Sequence, residues 1–189
     1  TEYVINPLFF GFDAHVKDTK KPTISGLYVY PTTPATVVNK SKRPILLNVS
    51  LQKDGSYVSD KVFANGKFGF GIVADDADDV SMNKNGVYKV QSFFNGQNTF
   101  GYQFDTYSFD DMRYINALID YEKYKKTKQR VQQLFMKNKY GLAFIQTDES
   151  KGQITPAPNF DGLYRIEVSD FFNNKTVVNI PIQYASTSA

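Results

Sequence analysis

Cysteine and tryptophan are absent from the 189 residues, and histidine occurs once, at His15. The missing thiols exclude disulfides and thiolate metal sites as sources of stability or chemistry. No Cys-His pair, Ser-His-Asp arrangement or Gly-x-x-x-x-Gly-Lys phosphate loop can be assembled from what remains. A run of the roughly 20 apolar residues that a membrane span needs is lacking. So is charge of one sign: 22 Lys and Arg stand against 19 Asp and Glu, and a net charge of +3 does not imply a nucleic-acid partner. The chain opens on Thr1 with neither an initiator Met nor a signal-like apolar region, which reads as a fragment or a processed product whose export signal lies elsewhere.

What the chain does have is 16 Phe and 13 Tyr, residue types that suit a pleated, half-buried surface. An all-β fold is expected. Residues 1–21 read as an apolar tail, Val4 to Phe12, followed by a polar linker, and the main domain is expected over 22–185, starting at Pro22. Thr23 to Pro31 reads as a first strand. Ile45, Leu47 and Val49 share one face at period two, and Asp54-Gly55 signals a turn. Phe68, Phe70 and Ile72 alternate with Gly69, Gly71 and Val73, so one face of that strand is large and the other is small enough for a neighbour to approach closely. Asn95-Gly96 joins two further strands, and Leu142 to Gln146, Leu163 to Val168 and Thr176 to Ile182 complete the set.

Between Asp110 and Lys139 the pattern changes. Met112, Ile115 and Ile119, then Val131, Leu134 and Phe135, recur at three- and four-residue spacing, which predicts one or two amphipathic helices inserted among the strands, capped by Asp110 or Asp111. Short strands at regular spacing argue for a sandwich, and the expectation is an immunoglobulin-like β-sandwich with a helical insertion at 110–139.

Three groups of residues carry possible chemistry. Asp75, Asp76, Asp78 and Asp79 form the densest acidic run, and calcium takes several oxygens gathered on a loop; the spacing misses the EF-hand order, and a solvated loop is the plainer reading. Lys123, Lys125, Lys126, Lys128 and Arg130, with Lys137 and Lys139, are interleaved with Tyr121, Tyr124 and Tyr140 and have no acid among them; they suit an anionic glycan, a lipid headgroup or an acidic partner, against the default of a solvated helix face. Tyr28, Tyr30, Tyr57, Tyr88, Tyr102 and Tyr107 would stack on sugars if they shared one exposed face, although strand alternation favours packing. His15, between Asp13 and Asp18, reads as a linker residue rather than a metal ligand.

The segment Tyr164 to Thr176 resembles the last two strands of bacterial immunoglobulin-like modules, with Asn173 where a turn glycine usually stands. A broader likeness runs from Ile5 to Ile182. Ile5-Asn6-Pro7-Leu8-Phe9-Phe10-Gly11-Phe12, Asp18-Thr19-Lys20-Lys21-Pro22, Leu27-Tyr28-Val29-Tyr30-Pro31, Asn83-Lys84-Asn85-Gly86-Val87-Tyr88 and Arg113-Tyr114-Ile115-Asn116, in that order, resemble the region after the catalytic domain in M23, lysostaphin-like metallopeptidases of Flavobacterium-type Bacteroidetes. The resemblance implies a non-catalytic accessory domain, secreted to the periplasm or cell envelope. Its implied partners are its own catalytic domain and peptidoglycan or outer-membrane proteins, with no nucleic acid. Zinc is expected in the preceding catalytic domain, since its three protein ligands cannot be supplied by this chain, and no cofactor is expected here. The alternative is a free-standing glycan-binding or adhesion module.

Overall fold

Strand alternation governs the architecture. In the computed structural model, which describes residues 3–79, 84–108, 115–137, 142 and 144–186, the chain is mostly β. The long strands β2 (Thr23–Pro31), β8 (Phe68–Asp75), β9 (Lys89–Phe94), β10 (Gln97–Gln103), β14 (Asp161–Ser169) and β15 (Lys175–Tyr184) frame it. Shorter strands are β1 (Tyr3–Ile5), β3 (Val37–Val38), β4 (Ile45–Leu47), β5 (Val49–Leu51), β6 (Tyr57–Ser59), β7 (Val62–Asn65), β11 (Thr106–Ser108), β12 (Gln132–Gln133) and β13 (Ile145–Thr147).

One sheet runs β13-β10-β9-β14-β15-β6-β5, with β7 also pairing β15 and β3 pairing β7; the other runs β12-β8-β2-β4. Most pairings are antiparallel. The exceptions are on β15, whose first half pairs parallel with β6 through Val178 and Tyr57 and whose second half pairs parallel with β7 through Ile182 and Val62. The two sheets stack as a sandwich. Leu27, Val29, Phe68, Phe70 and Ile72 from one sheet pack in a single buried cluster with Val90, Phe100, Tyr164, Ile166, Val178 and Ile180 from the other. Every second residue of β15 from Thr176 to Ile182 is buried, as a strand with one face on a core requires.

Several expectations are met. β2 begins at Thr23, Asn95-Gly96 forms the turn between β9 and β10, and Asn173 adopts a positive φ of 67° in the turn between β14 and β15. The small face of β8 is covered closely: a Cβ on Gly69 would lie 2.4 Å from the Phe135 ring. On that outer face Tyr28, Tyr30 and Val73 form a second buried cluster with Val131 and Phe135.

The insertion differs from expectation. Among the described residues the only α-helix is α1 (Tyr121–Thr127), preceded by a 3-10 turn at Ile115–Leu118; Asp110, Asp111 and Met112 lie outside the described residues. Val131 leads into β12, which pairs with β8, and Leu134 and Phe135 lie in the bend that follows, where Leu134 N–H donates to the Phe70 carbonyl at 2.8 Å. Their spacing arises because this chain crosses a sheet edge: Val131 and Phe135 reach the outer cluster while Leu134 enters the main core. Seven residues are too few for a helix to support itself. Asp120 holds α1, its Oδ1 accepting from Lys123 N–H at 3.0 Å while its Oδ2 accepts from the Tyr30 hydroxyl at 3.0 Å. Burial first, and then the Asp120 carboxylate, pushes the Tyr30 hydroxyl well above its ordinary range, so it stays a donor.

Candidate functional site

The apolar tail does not trail free. β1 pairs antiparallel with β11, from Tyr3 against Ser108 to Ile5 against Thr106. Asn6 then fixes the chain at one corner: its N–H donates to the Asp105 carbonyl at 2.8 Å, its Nδ2 to the Phe104 carbonyl at 3.3 Å, and its Oδ1 accepts from Leu8 N–H at 3.1 Å. That corner is braced in turn. Gln103 Nε2 donates to Asp105 Oδ2 at 2.8 Å, and the Tyr88 hydroxyl donates to Asp105 Oδ1; burial and this carboxylate push the Tyr88 hydroxyl up to about 12.

Beyond Asn6 the chain makes two 3-10 turns, Pro7–Phe10 and Phe12–His15. Phe9 touches the sandwich through an edge contact with Phe171 at 5.1 Å, yet Phe9, Phe10 and Phe12 remain 53%, 67% and 58% exposed. Large aromatic surface is normally buried on folding, and rings exposed in succession on an anchored segment mark a contact surface. Asn6→Ala removes the two side-chain hydrogen bonds of this anchor and keeps the backbone one. Amide exchange at Asn6 and Leu8 is expected to accelerate roughly tenfold, the equivalent of about 1.4 kcal/mol, and rates within twofold of the parent would count against the anchoring role.

The basic residues of the insertion do not share one face. Lys126 pairs with Glu122 at 2.6 Å, Lys123 lies 4.0 Å over the Tyr28 ring, and Lys125 lies 5.8 Å from the Tyr121 ring. Lys128 and Arg130 flank the Tyr124 ring at 5.7 and 5.6 Å and, with Lys84 and Gln129, line a cleft of about 450 Å³. Lys84 is paired there with Asp75 at 3.3 Å, which leaves Lys128 and Arg130 as the cations that an anion would meet. Lys139 and Tyr140 lie outside the described residues.

Among the described side chains, which do not include that of Tyr107, the tyrosines do not form a stacking platform. Tyr28, Tyr30 and Tyr102 are buried and Tyr57 and Tyr88 half-buried; the Tyr102 hydroxyl, pushed far up by burial, donates to Gln132 Oε1 at 2.5 Å.

The acidic run is divided among different tasks. Asp79 accepts from Thr19 N–H at 3.1 Å, a bond that with the Thr19 hydroxyl holds its carboxyl below the usual range. The Asp78 carbonyl accepts from Lys20 Nζ at 2.7 Å. Asp76 alone turns toward Asp18 of the linker and Asp170 at the end of β14; carboxylate oxygens of these three lie within 4.8 Å of one another. Residues so distant in the chain leave no spacing signal, and neither Asp18 nor Asp170 is a candidate on sequence grounds. His15 closes the second 3-10 turn, exposed and apart from this group.

Fold and surface define a sandwich-like, mostly β domain with an exposed aromatic segment and a cationic cleft. No protein-family profile matches the chain, and no match is found among curated proteins or solved structures. Among the described residues, no helix is long and apolar enough to cross a membrane.

Proposed function

We propose that this chain is a non-catalytic accessory domain that positions an M23-type zinc peptidase at the cell envelope. The observation that carries the reading is the exposed aromatic run Phe9-Phe10-Phe12 on an anchored segment. In the resembling peptidases this Asn-Pro stretch follows the last zinc-binding His-x-His, so the same rings would meet the catalytic domain. Burying three phenylalanines offers several kcal/mol of apolar contact, at roughly 1.5–3 kcal/mol for each ring fully covered. The cleft at Lys128 and Arg130 is the second contact, toward an anionic group of the wall or an outer-membrane protein.

An immunoglobulin-like topology is the finer reading of the fold. The order β15-β14-β9-β10 matches the G-F-C-C′ order of variable-type domains, and β12-β8-β2 matches E-B-A. The segment from β3 to β6 and the insertion before β12 are then additions to that frame.

Two measurements test the function. A His-x-His pair is expected in the coding sequence just before Thr1, and its absence overturns the peptidase context. The chain is also expected to bind that catalytic domain, and the variant with Phe9, Phe10 and Phe12 changed to Ser to bind at least tenfold more weakly. Equal binding by both forms would remove the aromatic segment from the contact.

A further inference from the structure

The three carboxylates of Asp18, Asp76 and Asp170 come from the linker, the end of β8 and the end of β14. Nothing in the described structure neutralises them. None of the three has an ion pair among the described residues, and Lys20 of the linker turns its Nζ to the Asp78 carbonyl. Asp170 is only 1% exposed, and its two oxygens accept from Asn174, from N–H at 2.8 Å and from Nδ2 at 2.6 Å. A carboxylate pair or triad in such a place repels itself unless a proton or a cation intervenes.

A second observation points to what is missing. Asp76 Oδ1 is wholly buried and accepts no hydrogen bond. A buried polar atom is almost always satisfied, and this one belongs to the carboxylate that converges on Asp18 and Asp170. The Asp76 carboxyl is correspondingly pushed up to about 6, by burial first and then by Asp170 and Asp18, and the Asp18 carboxyl is raised by burial and by Asp170.

We infer that Asp18, Asp76 and Asp170 bind a calcium ion that fastens the N-terminal linker to the sandwich. The donor set is all oxygen, which excludes the soft metals that prefer sulfur and disfavours those that prefer imidazole. Calcium accepts irregular oxygen shells of six to eight ligands completed by water, whereas magnesium demands a near-ideal octahedron. Three carboxylates on separate segments suit the first requirement better than the second. The ion neutralises the mutual repulsion, accepts a lone pair from the unpartnered Asp76 Oδ1, and makes the path from the aromatic segment to the sheets rigid at Asp18.

The test is calorimetric titration of the chain with calcium chloride after chelator treatment, paired with thermal unfolding. One site is expected, with a Kd on the order of 10⁻⁴–10⁻³ M, as in extracellular calcium modules, and 10 mM calcium is expected to raise the unfolding midpoint by roughly 5 °C. Asp76→Asn and Asp18→Asn are each expected to weaken binding at least tenfold, while Asp78→Asn stays within threefold of the parent. In chelator, Asp76→Asn is expected to melt no lower than the parent, because an amide is not repelled by its neighbours. Absence of calcium heat and of any midpoint shift in the parent overturns the site. Parent-like affinity in both the Asp18 and Asp76 variants overturns the ligand assignment, and a magnesium response equal to that of calcium overturns the choice of ion.

Discussion

Gly152→Ala is expected to lower the unfolding midpoint by roughly 10 °C, given about 3–4 kcal/mol of destabilisation and 2–4 °C per kcal/mol for a chain of this size. Two independent costs meet at this position. Gly152 has a φ of +75°, and an alanine there costs about 1–2 kcal/mol through the contact of its Cβ with the backbone. The added Cβ would also lie 2.5 Å from the Leu134 carbonyl oxygen and 3.1 Å from the Phe135 Cα. Those are backbone atoms of the segment that seals the outer face of β8, so they cannot swing aside, and overpacking of this kind costs about 1–3 kcal/mol. The neighbouring bonds, Met136 N–H to the Lys151 carbonyl at 3.0 Å and Gln153 Nε2 to the Met136 carbonyl at 3.0 Å, tie both loops together and transmit the shift. Denaturant unfolding measures the loss, and a change below about 1 kcal/mol would show that the loop relaxes freely.

Phe70→Ala is expected to cost about 3–5 kcal/mol, the range for truncating a buried ring. Phe70 has no solvent exposure, and its ring lies 4.5 Å from that of Tyr164 and 5.6 Å from that of Phe68. Phe70 is on β8 and Tyr164 on β14, so this contact spans the two sheets. Losing it opens a cavity at the centre of the sandwich and forfeits about 0.5–1.5 kcal/mol of aromatic pairing as well. Phe63→Ala is the control: that ring is on β7, is 46% exposed, and its truncation is expected to cost well under half as much by the same denaturant measurement. Equal losses for the two variants would refute the assignment of the core.

What the amino acids disclose in advance is what depends on neighbours in the chain. The alternation of Phe68, Phe70 and Ile72 with two glycines gives both the strand and its closely covered face, and Phe135 occupies that face. The turns at Asp54-Gly55, Asn95-Gly96 and Asn173 are legible for the same reason, since turn chemistry is a matter of a few successive residues. The spacing of Ile45, Leu47 and Val49 suggests one strand, but β4 and β5 belong to different sheets and the chain changes sheet at Asn48, a change that only tertiary packing imposes. Val131, Leu134 and Phe135 mislead because three- and four-residue spacing is shared by a helix stripe and by a short strand and bend that feed two clusters. Among the acidic residues, the run at 75–79 draws notice through its density, while the convergence that matters recruits only Asp76 from it. Its other members arrive from 58 residues before and 94 residues after, beyond the reach of any local pattern.

The position of β15 has a consequence for how the molecule comes into being. It follows every other strand described in the chain, yet it lies between β14 on one side and β6 and β7 on the other. Until residue 184 has emerged, the earlier strands β6 and β7 lack the neighbour that joins them to the rest of their sheet. Assembly of that sheet therefore waits for β15, through partners more than a hundred residues apart, and such topologies fold in milliseconds to seconds rather than microseconds. During that interval the edges of β6, β7 and β14 stand open, and the crowded environment of a nascent chain is where this protein is most exposed to mispairing.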